Sequence, residues 1–235
     1  MSCRPALEPY YSGYKDARAG TGYAFGAPGG TEKDDQFVRS GIYGSFLSGG
    51  LAGHIYGSEA IWGADVQEAA PIKMWDAFQW NSAAQMKHLR TFAFSIGRRF
   101  QDLIPDADMI TPSRTHSVQG YEGWAYAAHT PESDIVLAYF EKGCPMAKAP
   151  ANDSFFRPRD GTRVRMLKPD TYYRAEWFDP RKGTWLDSGD GWLRSDISGT
   201  VAVPQPPSDA DWGLRLVFAG AAPPSSRRMP GGAAY

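Results

Sequence analysis

From residue 107 to residue 220 turn-forming residues recur at intervals too short for any long helix. Gly120, Pro131-Glu132-Ser133, Asp160-Gly161, Pro169-Asp170, Asp179-Pro180, Lys182-Gly183 and Ser188-Gly189-Asp190-Gly191 each favour a reversal. Proline presets the first turn dihedral, glycine accepts a positive φ, and Asp or Ser can hydrogen-bond its own backbone. Between the turns lie about seven short runs suited to strands, near 114–119, 123–130, 134–141, 162–168, 172–178, 199–204 and 211–218. Short strands punctuated this often predict an antiparallel β-sandwich over residues 107–220, long enough for its own core.

Residues 1–106 read differently. "RPALE" at 4–8 is a strand candidate, followed by a Gly-rich loop from about Ser12 to Thr31. Thr31 to Asp35 is polar and acidic, which suits a helix start. Phe37, Ile42, Phe46 and Leu47 then recur at helical spacing, and Gly49-Gly50 supply the left-handed cap that ends the helix. "GHIYG" at 53–57 reads as a second strand. From Trp75 a second helical region carries one stripe, Met86, Leu89, Ala93, Ile96, Phe100 and Leu103, stopped by Pro105. Strand, helix, strand, helix is the order of a parallel α/β unit. Residues 221–235, rich in Pro, Gly, Ser and Ala, have the composition of an unfolded tail.

Charge removes several function classes. With 25 basic and 26 acidic residues the chain has no field of one sign to draw in nucleic acid or anionic lipid. No apolar run reaches the roughly 18 residues of a membrane helix, and no secretory signal opens the chain. Cys3 and Cys144 stand far apart without a CxxC partner, which argues against a zinc site. Nothing indicates a metal or a cofactor.

If "GHIYG" is a parallel strand covered by helices on one side, alternation puts Ile55 on the covered face and His54 and Tyr56 on the other. Both then lie near the strand's C-terminal end, where barrel enzymes gather their catalytic groups. The same reasoning turns Glu8 inward at the end of "RPALE", a carboxylate placed to act as nucleophile or general base. Taken singly, such residues are more often ion-paired or hydrogen-bonded structural groups. Arg39, Trp62 and Trp75 suit sugar contacts or interlayer packing.

Together, "RPALEPYYSGY", "VRSGIYGSFLSGGLAGHIYG", the Ile61-Trp62 pair and "MWDAFQWNSAAQMKHLRTF" resemble the last quarter of the apiosidase-like glycoside hydrolases. "YRAEWFDPRKGTW" and "DWGLRLVF" resemble the β-sandwich that commonly follows it and is named for collagen binding. The resemblance implies a (β/α)₈ barrel acting on plant polysaccharide side chains, in a family mostly exported from the cell. It implies Glu8 as nucleophile, with Tyr11, Arg39, His54, Tyr56 and Trp62 as substrate contacts. Ser12 stands where the family pattern is usually acidic.

A full barrel takes about 250 residues, so the resemblance makes residues 1–106 an incomplete barrel remnant of two βα units. The resemblance puts the general acid on an earlier strand, outside these two units, and open strand edges would favour self-association. The expectation is therefore α/β plus all-β: barrel remnant 1–106, β-sandwich 107–220, tail 221–235. The functional expectation is the C-terminal part of a glycoside hydrolase, incomplete as a catalyst by itself. The alternative is a non-catalytic carbohydrate- or matrix-binding or structural sandwich, with Trp177, Trp185 and Trp192 as candidate contacts.

Overall fold

A computed structural model describes residues 22–24, 27–30, 35–51, 61, 64, 66–69, 73–113, 123–144 and 161–222. Helix α1, Asp35–Leu47, buries Val38, Ile42, Tyr43, Phe46 and Leu47. It ends as the glycine pair predicts. Gly49 takes φ +101°, its N–H bonds the Phe46 carbonyl at 3.2 Å, and the Gly50 N–H bonds the Ser45 carbonyl at 2.8 Å. These two bonds satisfy carbonyls that the last helical turn leaves open.

The second helical region is not continuous. It divides into α2, Met74–Ala77; α3, Asn81–Ala93; and a 3₁₀ segment, Phe94–Asp102. Trp80 is extended between α2 and α3, and Gly97 breaks the third piece at φ 59°, ψ −143°. The stripe nevertheless faces inward: Ala93 and Leu103 are buried, and Met86, Leu89, Ile96 and Phe100 pack beside them. Phe92, which the stripe omits, is wholly buried.

The strands are β1 Gly22–Ala24, β2 Ala27–Gly30, β3 Ile104–Pro105, β4 Ile110–Thr111, β5 Ala125–His129, β6 Ile135–Phe140, β7 Arg163–Val164, β8 Tyr172–Asp179, β9 Thr184–Arg194, β10 Val201–Ala202 and β11 Trp212–Gly220. β1 and β2 form a hairpin. A six-stranded sheet runs β3-β5-β6-β11-β8-β9, and a three-stranded sheet runs β10-β7-β4. Among the described residues every pairing is antiparallel. "RPALE" and "GHIYG", on which the parallel α/β expectation rests, lie outside the described residues. Residues 114–119 and the tail beyond 222 lie outside them too. No helix among the described residues is long and apolar enough to cross a membrane.

Each face of the large sheet carries its own core. Toward the small sheet it presents Ala127, Val136, Ala138, Phe140, Tyr173, Trp177 and Leu214, against Met109, Ile110, Val164 and Val201. Toward α1 and α3 it presents Tyr126, Leu137, Tyr139 and Phe178. Burial on both faces explains why β6 reads Ile-Val-Leu-Ala-Tyr-Phe without alternation, every residue buried. At Gly213 a Cβ would come within 2.8 Å of the Phe92 ring, so the close approach of helix to sheet requires glycine.

One expected turn is instead part of a strand. Ser188-Gly189-Asp190-Gly191 lies inside β9. Arg174 pairs Trp192 and Glu176 pairs Asp187, so Ala175 alone opposes residues 188–191. Gly189 and Gly191 take φ 58° and 73°, which lets the chain bulge and resume pairing. The Ser188 hydroxyl donates to the Ala175 carbonyl at 2.8 Å and pins the bulge.

Two predictions follow from this packing. Phe92→Ala should cost about 3–5 kcal/mol in urea unfolding, because Phe92 meets Tyr43, Phe46, Phe178 and Trp185 at once. Arg99 holds the Asp134 carboxyl down to about 2, with burial opposing and the Thr130 hydroxyl assisting. Its contribution to stability is complete above about pH 4 and is lost as pH falls toward 2. Asp134→Asn should therefore flatten part of the acid limb of a stability–pH curve.

Candidate functional site

Of the residues nominated from sequence, Glu8, Tyr11, His54, Tyr56 and Trp62 lie outside the described residues. Arg39 is described, and it faces the large sheet. One turn after Asp35 on α1, its side chain is 5% exposed. Nε and Nη2 donate to the two carboxylate oxygens of Asp211 at 2.7 and 2.9 Å. Nη1 donates to Asp35 and to the Gln85 carbonyl oxygen of α3, both at 2.6 Å. Tyr139 on β6 donates its hydroxyl to Asp211 at 2.8 Å. One guanidinium thus ties α1 to α3 and to the residue preceding β11.

Charge in this seam is held locally. Burial works to lower the Arg39 pKa, but the Asp211 hydrogen bonds and charge outweigh it and raise it above its ordinary value. The Tyr43 and Tyr139 hydroxyls are pushed well above the usual phenol range, first by burial and then by Asp211. Both stay protonated at neutral pH, and Tyr139 acts as a donor. Arg181 lies 3.9 Å from Asp211 and 4.5 Å over the Trp212 ring. The Tyr43 hydroxyl is buried with no hydrogen-bond partner among the described residues, although its ring stacks on Tyr139 at 4.9 Å.

A second buried carboxylate went unnoticed in the sequence. Glu141, just past β6, is 1% exposed. It accepts from the Ser40 hydroxyl of α1, from the Trp124 N–H at 3.0 Å and from the Tyr126 hydroxyl at 3.3 Å. The sequence places Glu141 at the end of the 134–141 strand candidate, and only tertiary packing reveals its burial. Burial, then the Glu141 charge, pushes the neighbouring Cys144 thiol up to about 12, so it is protonated and a poor nucleophile. Among the described residues no cluster of three or more His, Cys, Asp or Glu is placed to hold a metal.

Residues 6–97 match the family model for the apiosidase-like catalytic domain. That segment contains all six residues that the resemblance assigns to the site together with α1 and α3, whereas Asp211 and the large sheet lie beyond it. Among solved structures, one described as a glycoside hydrolase aligns with TM-score 0.57 and 20% identity, over 78% of this chain and 36% of its own. A provisionally assigned glycoside hydrolase from Bacteroides vulgatus ATCC 8482 aligns with TM-score 0.37 and 14% identity, over 83% of this chain and 34% of its own. No curated protein matches. The first of these likenesses is one of fold, and the chain spans 36% of that structure's length.

The seam predicts a specific mutational pattern. Asp211→Asn leaves a buried guanidinium short of its counter-charge and should cost about 3–5 kcal/mol. Combining Arg39→Met with Asp211→Leu should cost clearly less than the sum of the single changes, as read by urea denaturation. Tyr43→Phe removes an unsatisfied hydroxyl and should leave stability equal or higher, whereas Tyr139→Phe should lower it by about 1.5–3 kcal/mol.

Proposed function

We propose that the chain contributes to glycoside hydrolysis, with Glu8 as nucleophile and Tyr11, His54, Tyr56 and Trp62 around the sugar. The observation that carries this reading is the apiosidase-like match over residues 6–97, which contains each of these positions. The proposed substrates are side chains of plant-type polysaccharides, the class that the sequence resemblance implies. Arg39 takes part through α1: held by Asp211, it fixes the helix that leads through Gly49-Gly50 to the segment bearing His54 and Tyr56.

Glycoside hydrolysis ordinarily uses two carboxylates, one as nucleophile or base and one as acid. The resemblance nominates only the first here. Hydrolysis by these 235 residues is therefore expected to be slow, by about 10²–10⁴-fold for a missing general acid alone. The test is turnover of aryl glycosides and pectic oligosaccharides by the native chain and by Glu8→Gln. Residual turnover that Glu8→Gln abolishes supports the reading. Turnover unchanged in that variant removes Glu8 as nucleophile, and no turnover on any substrate removes the enzymatic reading of these residues.

A further inference from the structure

The helix-side face of the large sheet is covered by α1 and α3 over its centre, but the corner where β8 meets β9 is accessible. Register places Arg174 opposite Trp192, and Glu176 opposite both Asp187 and Arg215. These side chains share the face that Phe178 and Trp185 present to the helices further along. Trp192 is 40% exposed. The other described tryptophans of the two-sheet region are engaged. Trp177 and Trp212 donate to backbone carbonyls, Trp185 stacks on Phe92, and Trp124 packs beside Tyr126. Trp192 makes no hydrogen bond or ring contact among the described residues, so its exposed part is not engaged by another ring or acceptor there.

Its surroundings specify the kind of ligand. Arg174 lies 3.4 Å from both Glu176 and Asp187, with its side chain 44% exposed and that of Asp187 72% exposed. Arg194 pairs with Asp170 at 2.6 Å and lies 5.7 Å over the Tyr172 ring. Arg174, Arg194 and Arg215 are matched by Asp170, Glu176 and Asp187, so among the described side chains the patch offers donors and acceptors in pairs without excess charge. A polyanion would require surplus positive charge, and an apolar partner would require apolar neighbours around the indole. A flat ring flanked by paired guanidinium and carboxylate groups suits a pyranose, whose C–H face rests on the ring while its hydroxyls meet the charged groups.

We propose that Trp192, with Arg174 and Asp187, forms a binding surface for a neutral polysaccharide chain on β8 and β9, outside the segment that matches the catalytic-domain family. The choice of a polysaccharide rests on the glycosidase reading above. The surface itself rests on Trp192 and its neighbours. The test is retention of the full chain on xylan, homogalacturonan and collagen, with affinity electrophoresis in soluble xylan.

Retention on xylan is expected, weakened about tenfold or more in Trp192→Ala, restored in Trp192→Phe and reduced in Arg174→Ala, with thermal melting as the check on folding. Xylan binding equal in Trp192→Ala and the native chain overturns the proposal. So does an absence of xylan binding, or Trp192-dependent retention confined to homogalacturonan or collagen. Trp192-dependent binding with no turnover on any substrate sustains this surface and removes the enzymatic reading, whereas turnover that Glu8→Gln abolishes without Trp192-dependent binding does the opposite.

Discussion

Arg39 and Asp211 stand 172 residues apart in sequence and meet as a buried, two-pronged ion pair. Burying either charge alone would cost several kcal/mol, and the pair offsets that cost only because every partner is in place. Asp35 and Gln85 complete the guanidinium, and Tyr139 completes the carboxylate. Sliding α1 along the sheet would strain or break these bonds together. The apolar contacts of Tyr43, Phe46, Phe92 and Phe178 supply most of the attraction, but apolar contacts tolerate sliding. The ion pair sets the register in which they pack.

This coupling joins two parts of the chain that sequence comparison separates. The catalytic-domain match ends at residue 97, yet α1 and α3 within it bury their apolar faces on strands that lie wholly beyond it. β3 at Ile104–Pro105 pairs with β5 across the same division. The large sheet therefore has two roles. One face closes a core with the small sheet, and the other is the floor on which the helices of the matched segment sit.

Local signals were legible where local physics decides. The start, apolar stripe and glycine cap of α1 could be read directly, as could the positions of β5, β6, β8 and β11. The inner alternation of β8, with Tyr173, Ala175 and Trp177 on one face, follows from its sequence. Two features misled. Ser188-Gly189-Asp190-Gly191 has turn chemistry, and only pairing with β8 on both sides of it turns a reversal into a bulge. The continuous stripe from Met86 to Leu103 concealed the break at Gly97, because the inward face resumes after the kink. Arg39 was expected at the substrate, since nothing near it in sequence signals a partner as distant as Asp211. Glu141 was missed for the same reason: its donors come from α1, from Trp124 and from Tyr126.

The bulge in β9 also bears on how the molecule behaves in company. β9 is the outermost strand of its sheet, and a straight run of that length would be an adhesive template for another chain's backbone. The two left-handed glycines divide it into short lengths, 184–187 and 192–194, that do not lie in one flat line. A visiting strand could match one piece or the other but not both in step. The same four residues that disguise the strand in the sequence thus keep the rim of the sheet from seeding fibrous stacking.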